Sequence, residues 1–447
     1  MLYKSILLTM LLLFSACGGG SGKTTNIENK NFLVDLSNDT NNISQKQNDN
    51  FRYVTIYVHG YDKNGHKLKD SVYGKINNDE VIDNLVEITN FATMDNFTQT
   101  DKNILAIAPY YGDTPPSYYT QQDIEDIDKI TKEYGGGIPR YATIIAKFAK
   151  YIQKQTKADR VNIVSASMGS LVTRWIIEKD VEHLASEKKI SKWLSIEGVI
   201  RGNYVASNRF LLSFASAIDA NGIDTKQMNY DWVNKNLSAD EATSINYKDI
   251  QMGFISSTYD KEGMLSIVNS SPNDGVQLLK DTIFSKTPNN NPTYTRYFVD
   301  HIGIKKDKGA WAEVATFLSS SKRVKITLLS ADIATIPSKT NIVFENSVKS
   351  TKVLETFSVN DDISERLAKG KALDKVSFAR ANESKDVNQV IFNDFVLDDE
   401  TSLDIKITPY LDSKNPLSTI EQSIKLENGN IELSGKDWSG TIKIEVF

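Results

Sequence analysis

Residues 161–172 read Val161-Asn162-Ile163-Val164-Ser165-Ala166-Ser167-Met168-Gly169-Ser170-Leu171-Val172, and this stretch decides the fold. A short apolar run with β-branched residues meets a cluster of very small ones and then passes into an amphipathic segment. Those three textures predict a strand, a tight turn and a helix, with Ser167 alone raised out of the bend. The small neighbours follow from geometry, because the helix returns close over the strand and leaves no room for bulk. A serine on such a bend exposes its hydroxyl at the carboxyl end of a sheet. The small-x-Ser-x-Gly pattern is common in long chains, so its setting between strand and helix carries the weight.

Upstream of this stretch, Ile144, Ile145, Phe148 and Ile152 mark one face of a helix with lysines opposite, and Pro139 suits its first turn. Residues 51–58, rich in aromatic and β-branched types, read as a strand that runs straight into His59-Gly60-Tyr61. Val81, Leu85 and Ile88 have helical spacing within 79–92, with Asp79 as the cap. Residues 104–109 read as a second buried strand, stopped by Pro109 and the turn-rich run to Pro116. Downstream, strands are expected at Trp193–Ile196 and Gly253–Ser257. Between them, residues 201–248 are irregular and partly helical, with the aromatics Tyr204, Phe210, Tyr230 and Trp232, which suit either a lid or a satellite core.

Strands alternating with helices to about residue 320 predict an α/β fold, with a mostly parallel sheet covered on both faces. Past Ser319-Ser320-Ser321 the texture changes to short strands at 324–329, 352–359, 389–397, 403–407, 420–426 and 441–446. Asn-Asp, Asn-Gly and Ser-Gly turns separate several of them, as in an antiparallel sandwich. The expected division is a catalytic domain over 51–321 and an all-β sandwich over 322–447.

The chain has 447 residues, ample for two such domains, with 40% hydrophobic and 24% charged residues. A net charge of −5 with no basic stripe argues against a nucleic-acid partner. At the amino terminus, Lys4 precedes the apolar run Ile6–Phe14, which is too short to span a bilayer and reads as a signal-peptide core. The run ends in Leu13-Phe14-Ser15-Ala16-Cys17, where Cys17 is the only cysteine. Residues 1–16 thus read as a lipoprotein signal, with lipid attached to Cys17; the plainer reading is a secretory signal with an incidental cysteine. Residues 17–50, rich in Gly, Ser, Asn, Lys and Asp, read as a flexible tether. Gly18 stands where inner-membrane retention uses Asp, so the expected place is the bacterial cell envelope, lipid-anchored at the outer membrane. A single cysteine permits no disulfide within the chain.

Four histidines make the search for a base short. His66 sits in a charged loop and His183 in a charged helical context, both unremarkable. His59 ends the first strand beside Gly60 and reads as structural. His301, in Asp300-His301-Ile302-Gly303 after the strand-like Tyr297-Phe298-Val299, has the rim setting that a base needs. An acid between Ser167 and His301 would hold the imidazole tautomer. Asp260 and Asp274 both follow the strand at Gly253–Ser257, Asp274 in the tight turn Pro272-Asn273-Asp274-Gly275-Val276.

Residues 51–318 resemble an α/β-hydrolase of the bacterial lipase type. The matching motifs are His59-Gly60, Ser165-Ala166-Ser167-Met168-Gly169, Asn273-Asp274-Gly275-Val276 and Asp300-His301. The resemblance implies the triad Ser167, Asp274 and His301, with Asp260 the alternative acid, and an oxyanion hole from the Tyr61 and Met168 amides. Ser165 stands where the first glycine of the motif belongs. Lipases of this type often bind calcium through an aspartate two residues past the histidine; Gly303 is there instead, so no metal is expected, and the chemistry calls for no cofactor. The implied function is a serine ester hydrolase acting on lipid or another acyl ester. A phospholipase or acyltransferase would use the same triad. A different class is a surface-anchored binding protein whose sandwich recognises a glycan or a protein partner.

Overall fold

A computed structural model describes residues 51–447 except 63, 66–67, 69, 210, 213–221, 238–244, 258–264, 270, 285–291, 298, 337–338, 351–375 and 412–414. Cys17, His66, Phe210, Asp260 and the strand expected at 352–359 lie outside the described residues.

Seven strands form one parallel sheet: β1 (Tyr53–Val58), β2 (Ala92–Thr93), β3 (Asn103–Ile107), β4 (Arg160–Ala166), β5 (Ile190–Ile196), β6 (Gln251–Ser257) and β7 (Thr293–Tyr297). Their order is β2-β3-β1-β4-β5-β6-β7, which puts β4 at the centre. The strands β1, β3 and β4 are buried on both faces, so they read as continuous apolar runs rather than alternating ones. Helices cover both sides. α1 (Glu80–Thr89) packs with a helix at Lys308–Ser319 over Tyr57, Val164 and Leu194. On the other face lie α3 (Ile138–Thr156) and α4 (Met168–Glu178), with α2 (Gln121–Tyr134) packed outside α3. This is the α/β-hydrolase architecture that the sequence predicts. Asp79 caps α1 as expected, accepting from the amides of Val81 and Ile82.

The helix at Lys308–Ser319, α5 here, hands the chain to two antiparallel sheets. One pairs β8 (Arg323–Ile333) with β11 (Ser384–Phe395) and β16 (Trp438–Val446), which in turn pairs β15 (Gly429–Ser434). The other is built on β9 (Thr340–Ser350) paired with β10 (Val376–Phe378) and β12 (Ser402–Leu411). Beside β12 lie β13 (Asn415–Pro416) and β14 (Ile420–Lys425). Ile326, Leu328 and Ile442 of the first sheet share one apolar cluster with Phe344, Ile405 and Ile424 of the second, so the two sheets form a sandwich.

Sandwich and parallel sheet meet through a buried polar seam. On α5, Glu313 accepts hydrogen bonds from Thr295 and, at 2.6 Å, from the Tyr297 hydroxyl, both on β7. Asp394 of β11 lies near enough for each carboxyl to act on the other. Lys192 of β5 is buried and gives its Nζ to the carbonyls of Phe317, Leu318 (3.2 Å) and Ser320 (2.7 Å), capping the end of α5. Phe317 and Phe395 meet edge to face across the same junction, at 5.1 Å between ring centroids.

Burial pushes the Glu313 and Asp394 carboxyls up, and each adds to or is tempered by its neighbour. Above the ordinary carboxylate range of about 4, the folded chain therefore holds more protons than the unfolded one. Stability contributed by this seam is full below that range and is lost as pH rises through the folded values. The melting temperature should fall by several degrees between pH 5 and 8 at constant ionic strength. Asp394→Asn should remove most of that fall, which calorimetry across the pH series can check.

Candidate active site

Ser167 sits between β4 and α4 with φ +51° and ψ −123°, a backbone region that residues with a Cβ rarely adopt. Three hydrogen bonds hold it there. The Ser167 amide donates to Ile196 O at 2.9 Å, and Ser167 O accepts from the amides of Ser170 and Val199, both at 3.0 Å. The bend is thus tied sideways to the end of β5 as well as forward into the helix.

The small residues around it have specific jobs. A Cβ on Gly169 would lie 2.4 Å from the carbonyl oxygens of both Val58 and His59, so only glycine lets α4 cross the end of β1. A Cβ on Gly60 would approach the Ser167 Cβ to 3.0 Å. Ser165, which departs from the usual glycine, is more than small. Its buried hydroxyl accepts from the Trp193 indole at 3.1 Å and from Thr173 at 3.3 Å, and meets Ser170 at 3.1 Å.

The sequence-predicted residues converge here. His301 Nε2 is 3.1 Å from Ser167 Oγ, and its Nδ1 is 2.8 Å from Asp274 Oδ2. Asp274 is held by its turn: the amides of Val276 and Gln277 donate to Oδ1 at 2.8 and 2.6 Å, and the His301 amide donates to Asp274 O at 3.1 Å. Ser167, Asp274 and His301 are all at least nine-tenths buried. The Gly303 amide donates to Asp300 at 2.6 Å, closing the loop past the histidine. Of the other histidines, His183 is exposed and lies 3.4 Å from Asp180.

His59 is structural, as its sequence setting suggests. Its ring stacks on Tyr110 at 3.9 Å between centroids, and burial lowers its pKa to about 4, so it is neutral near pH 7. Its Nδ1 lies 2.8 Å from Gly60 O. The Tyr110 hydroxyl reaches both His59 O at 2.7 Å and Gly60 O at 2.9 Å. With Gly60 C=O drawn toward these groups, planarity of the trans peptide turns the Tyr61 N–H the opposite way. The Met168 amide opens α4, where the first N–H groups of a helix lack partners within it.

Two residues at the site escape the sequence reading. Tyr110 fell within a segment read only as a turn. Glu197 follows β5 directly, with φ +49°, and is almost fully buried. Its Oε2 lies 3.1 Å from His301 Nδ1, while Ser257 donates to its Oε1. Burial, and then the neighbouring Asp274, push the Glu197 carboxyl well up against the pull of His301. The available signal was a carboxylate placed between the apolar Trp193-Leu194-Ser195-Ile196 and Gly198. Among the described residues, Glu197, Asp274 and His301 also have the spacing of a metal cluster, one atom of each within 4.8 Å of the others. Both carboxyls lie at hydrogen-bonding distance from the same nitrogen, His301 Nδ1, which suits a proton network.

Of the aromatics between 204 and 232, Trp232 stacks on Trp175 of α4 at 5.6 Å between centroids, and Tyr230 bonds the Asp281 carboxylate. No helix among the described residues is long and apolar enough to cross a membrane. Gly169→Ala should cost about 1–3 kcal/mol of stability, the usual range for overpacking. Chemical denaturation of the variant beside the unaltered protein would check it.

No protein-family model and no curated protein sequence matches the chain. Among solved structures, the propeptide form of a Bacillus licheniformis lipase is similar at a TM-score of 0.39 and 8% identity, over 86% of this chain and 96% of that one. A metagenomic carboxyl esterase gives 0.34 and 13%, over 58% and 67%. A phospholipase of Legionella pneumophila gives 0.29 and 14%, over 52% and 45%.

Proposed function

We propose that the chain is a serine ester hydrolase that cleaves an acyl ester through an acyl-enzyme on Ser167. The observation that carries this is the continuous hydrogen-bonded path from Ser167 Oγ through His301 to Asp274, on a serine whose backbone is held in a rarely used conformation.

The steps follow from where the protons sit. Asp274 Oδ2 takes the His301 Nδ1 proton as a hydrogen bond, which leaves Nε2 as the acceptor facing Ser167. Ser167 Oγ attacks the carbonyl carbon of the ester, and its proton passes to Nε2. The negative oxygen of the tetrahedral intermediate is held by the Tyr61 and Met168 amides, groups already fixed before substrate arrives. As the C–O bond breaks, the leaving alcohol takes the proton from Nε2. A water then gives its proton to Nε2 and attacks the acyl-enzyme, and return of that proton to Ser167 frees the acid. The imidazolium formed in each half faces the Asp274 carboxylate, which offsets its charge in a site that water barely reaches.

Ser167→Ala should lower turnover of p-nitrophenyl esters by at least about 10⁴ with an unchanged melting temperature. Full activity in that variant would overturn the assignment. A series from acetate to palmitate then reads the acyl length that the site prefers. Tyr110→Phe removes the hydroxyl that orients the Gly60 carbonyl. It should lower kcat by about 10–10³, as weakening one oxyanion donor does, with little change in KM.

A further inference from the structure

Beside the His301–Asp274 pair stands a second carboxyl on a different strand end. Glu197 leaves β5, whereas Asp274 lies in the turn beyond β6, and each puts one oxygen against the same nitrogen, at 3.1 and 2.8 Å from His301 Nδ1. A side chain at the rim of a sheet would ordinarily face water. Glu197 instead turns inward, is almost fully buried, and is fixed from behind by Ser257. Its amide donates to Ile255 O at 2.7 Å, which ties the turn it occupies to β6. A buried carboxyl aimed at a partner nitrogen is costly unless that partner uses it.

We propose that Glu197 is a positioning residue for His301, a second acid that shares its Nδ1 with Asp274 and takes over its support when the Asp274 carboxylate is replaced. This rests on the serine-hydrolase reading of the same site. The groups that act on Glu197 are His301 and Asp274 in contact and Lys305 from the turn after the histidine, with the Ser257 hydroxyl behind. The order of their effects explains a reserve rather than a pair of equal acids. Asp274 is held by two backbone amides and by the shorter of the two contacts to Nδ1, so it is the principal partner. Glu197 is kept protonated by burial and by the Asp274 charge beside it. Two carboxyl groups this close do not both ionise readily, which agrees with the upward push on Glu197. Neutralising Asp274 removes one of the two causes that hold the proton on Glu197. Its carboxylate then receives the Nδ1 proton, and His301 keeps the tautomer in which Nε2 faces Ser167.

The test is a double-mutant cycle of Asp274→Asn, Glu197→Gln and the combination, with kcat followed from pH 5 to 10. Loss of the acid from a triad whose geometry stays intact costs about 10⁴ in kcat. With Glu197 in reserve, Asp274→Asn alone should lose only about 10–10², and the double variant should fall by about 10⁴, so the two losses are strongly non-additive. The acid limb of the pH profile should also move upward in Asp274→Asn, because activity then waits for Glu197 to ionise, and a merely structural role would not move it. Equal activity for Asp274→Asn and the double variant, with no displaced limb, overturns the proposal. Labelling of Ser167 by a fluorophosphonate in the unaltered protein keeps the two readings apart: failure to label removes the hydrolase reading, whereas labelling with an additive cycle removes only the role of Glu197. Melting temperatures of all three variants identify any loss that is a failure to fold.

Discussion

The backbone of Ser167 is the constraint on which the rest of the structure depends. A residue with a Cβ held at φ +51° costs on the order of 1–3 kcal/mol and persists only where its surroundings over-determine it. Here they do so in three directions. Gly169 lets the helix start against the end of β1, the Ser167 amide is anchored to Ile196 O, and its carbonyl takes the amides of Ser170 and Val199. Because two of those anchors lie at the end of β5, the conformation of the serine is fixed by the same turn that carries Glu197. Ser167 and Glu197 are therefore positioned by one set of backbone bonds.

That coupling explains why the site is built from strand ends and not from mobile loops. β4, β5 and β6 finish side by side in the centre of the sheet, and the chain crosses from each end to the next: Ser167 N to Ile196 O, then Glu197 N to Ile255 O. Asp274 arrives later from a turn, and its own carbonyl holds the His301 amide, so Asp274 and His301 are tied by backbone as well as by side chain. Main-chain hydrogen bonds thus hold Ser167, Asp274 and His301, the preorganisation that the proposed chemistry requires.

Much of this was legible in the residues because backbone punctuation announces it. Ser167 stood between an apolar run and a helix, Asp274 in an Asn-Asp-Gly turn, and His301 just past a strand. The strand before it, however, is Thr293–Tyr297 and ends where the reading began it, since the polar Thr293 and Thr295 face the buried seam and mask the strand pattern. α2 was missed because its sequence is charged, with apolar support from Ile124, Ile127 and Ile130 only, and its start is marked by the Thr120–Asp123 capping box. β9 was missed because Asn341, Glu345, Asn346 and Ser347 interrupt its apolar alternation. Glu197 had only a weak local signal, its place between an apolar strand and Gly198, for an acid after a buried strand looks like any rim residue until the partner it faces, more than a hundred positions later, is in place.

The two buried carboxyl pairs show the same physics used to opposite ends. At the carboxyl end of the sheet, Asp274 and Glu197 each put one oxygen against His301 Nδ1, at 2.8 and 3.1 Å, so there the buried carboxyls meet a nitrogen that can carry a proton. Along β7, Glu313 accepts from the hydroxyls of Thr295 and Tyr297 with Asp394 beside it, and there a retained proton is what makes burial tolerable. Lys192 spends its donors instead on the carbonyls that end α5. The sandwich is thus joined to the parallel sheet by groups that are most comfortable neutral. That makes the junction a packed, protonated seam rather than an ion pair, and it rules out treating the antiparallel sheets as a module that can be lifted away without exposing Glu313, Lys192 and Phe317 on the sheet left behind.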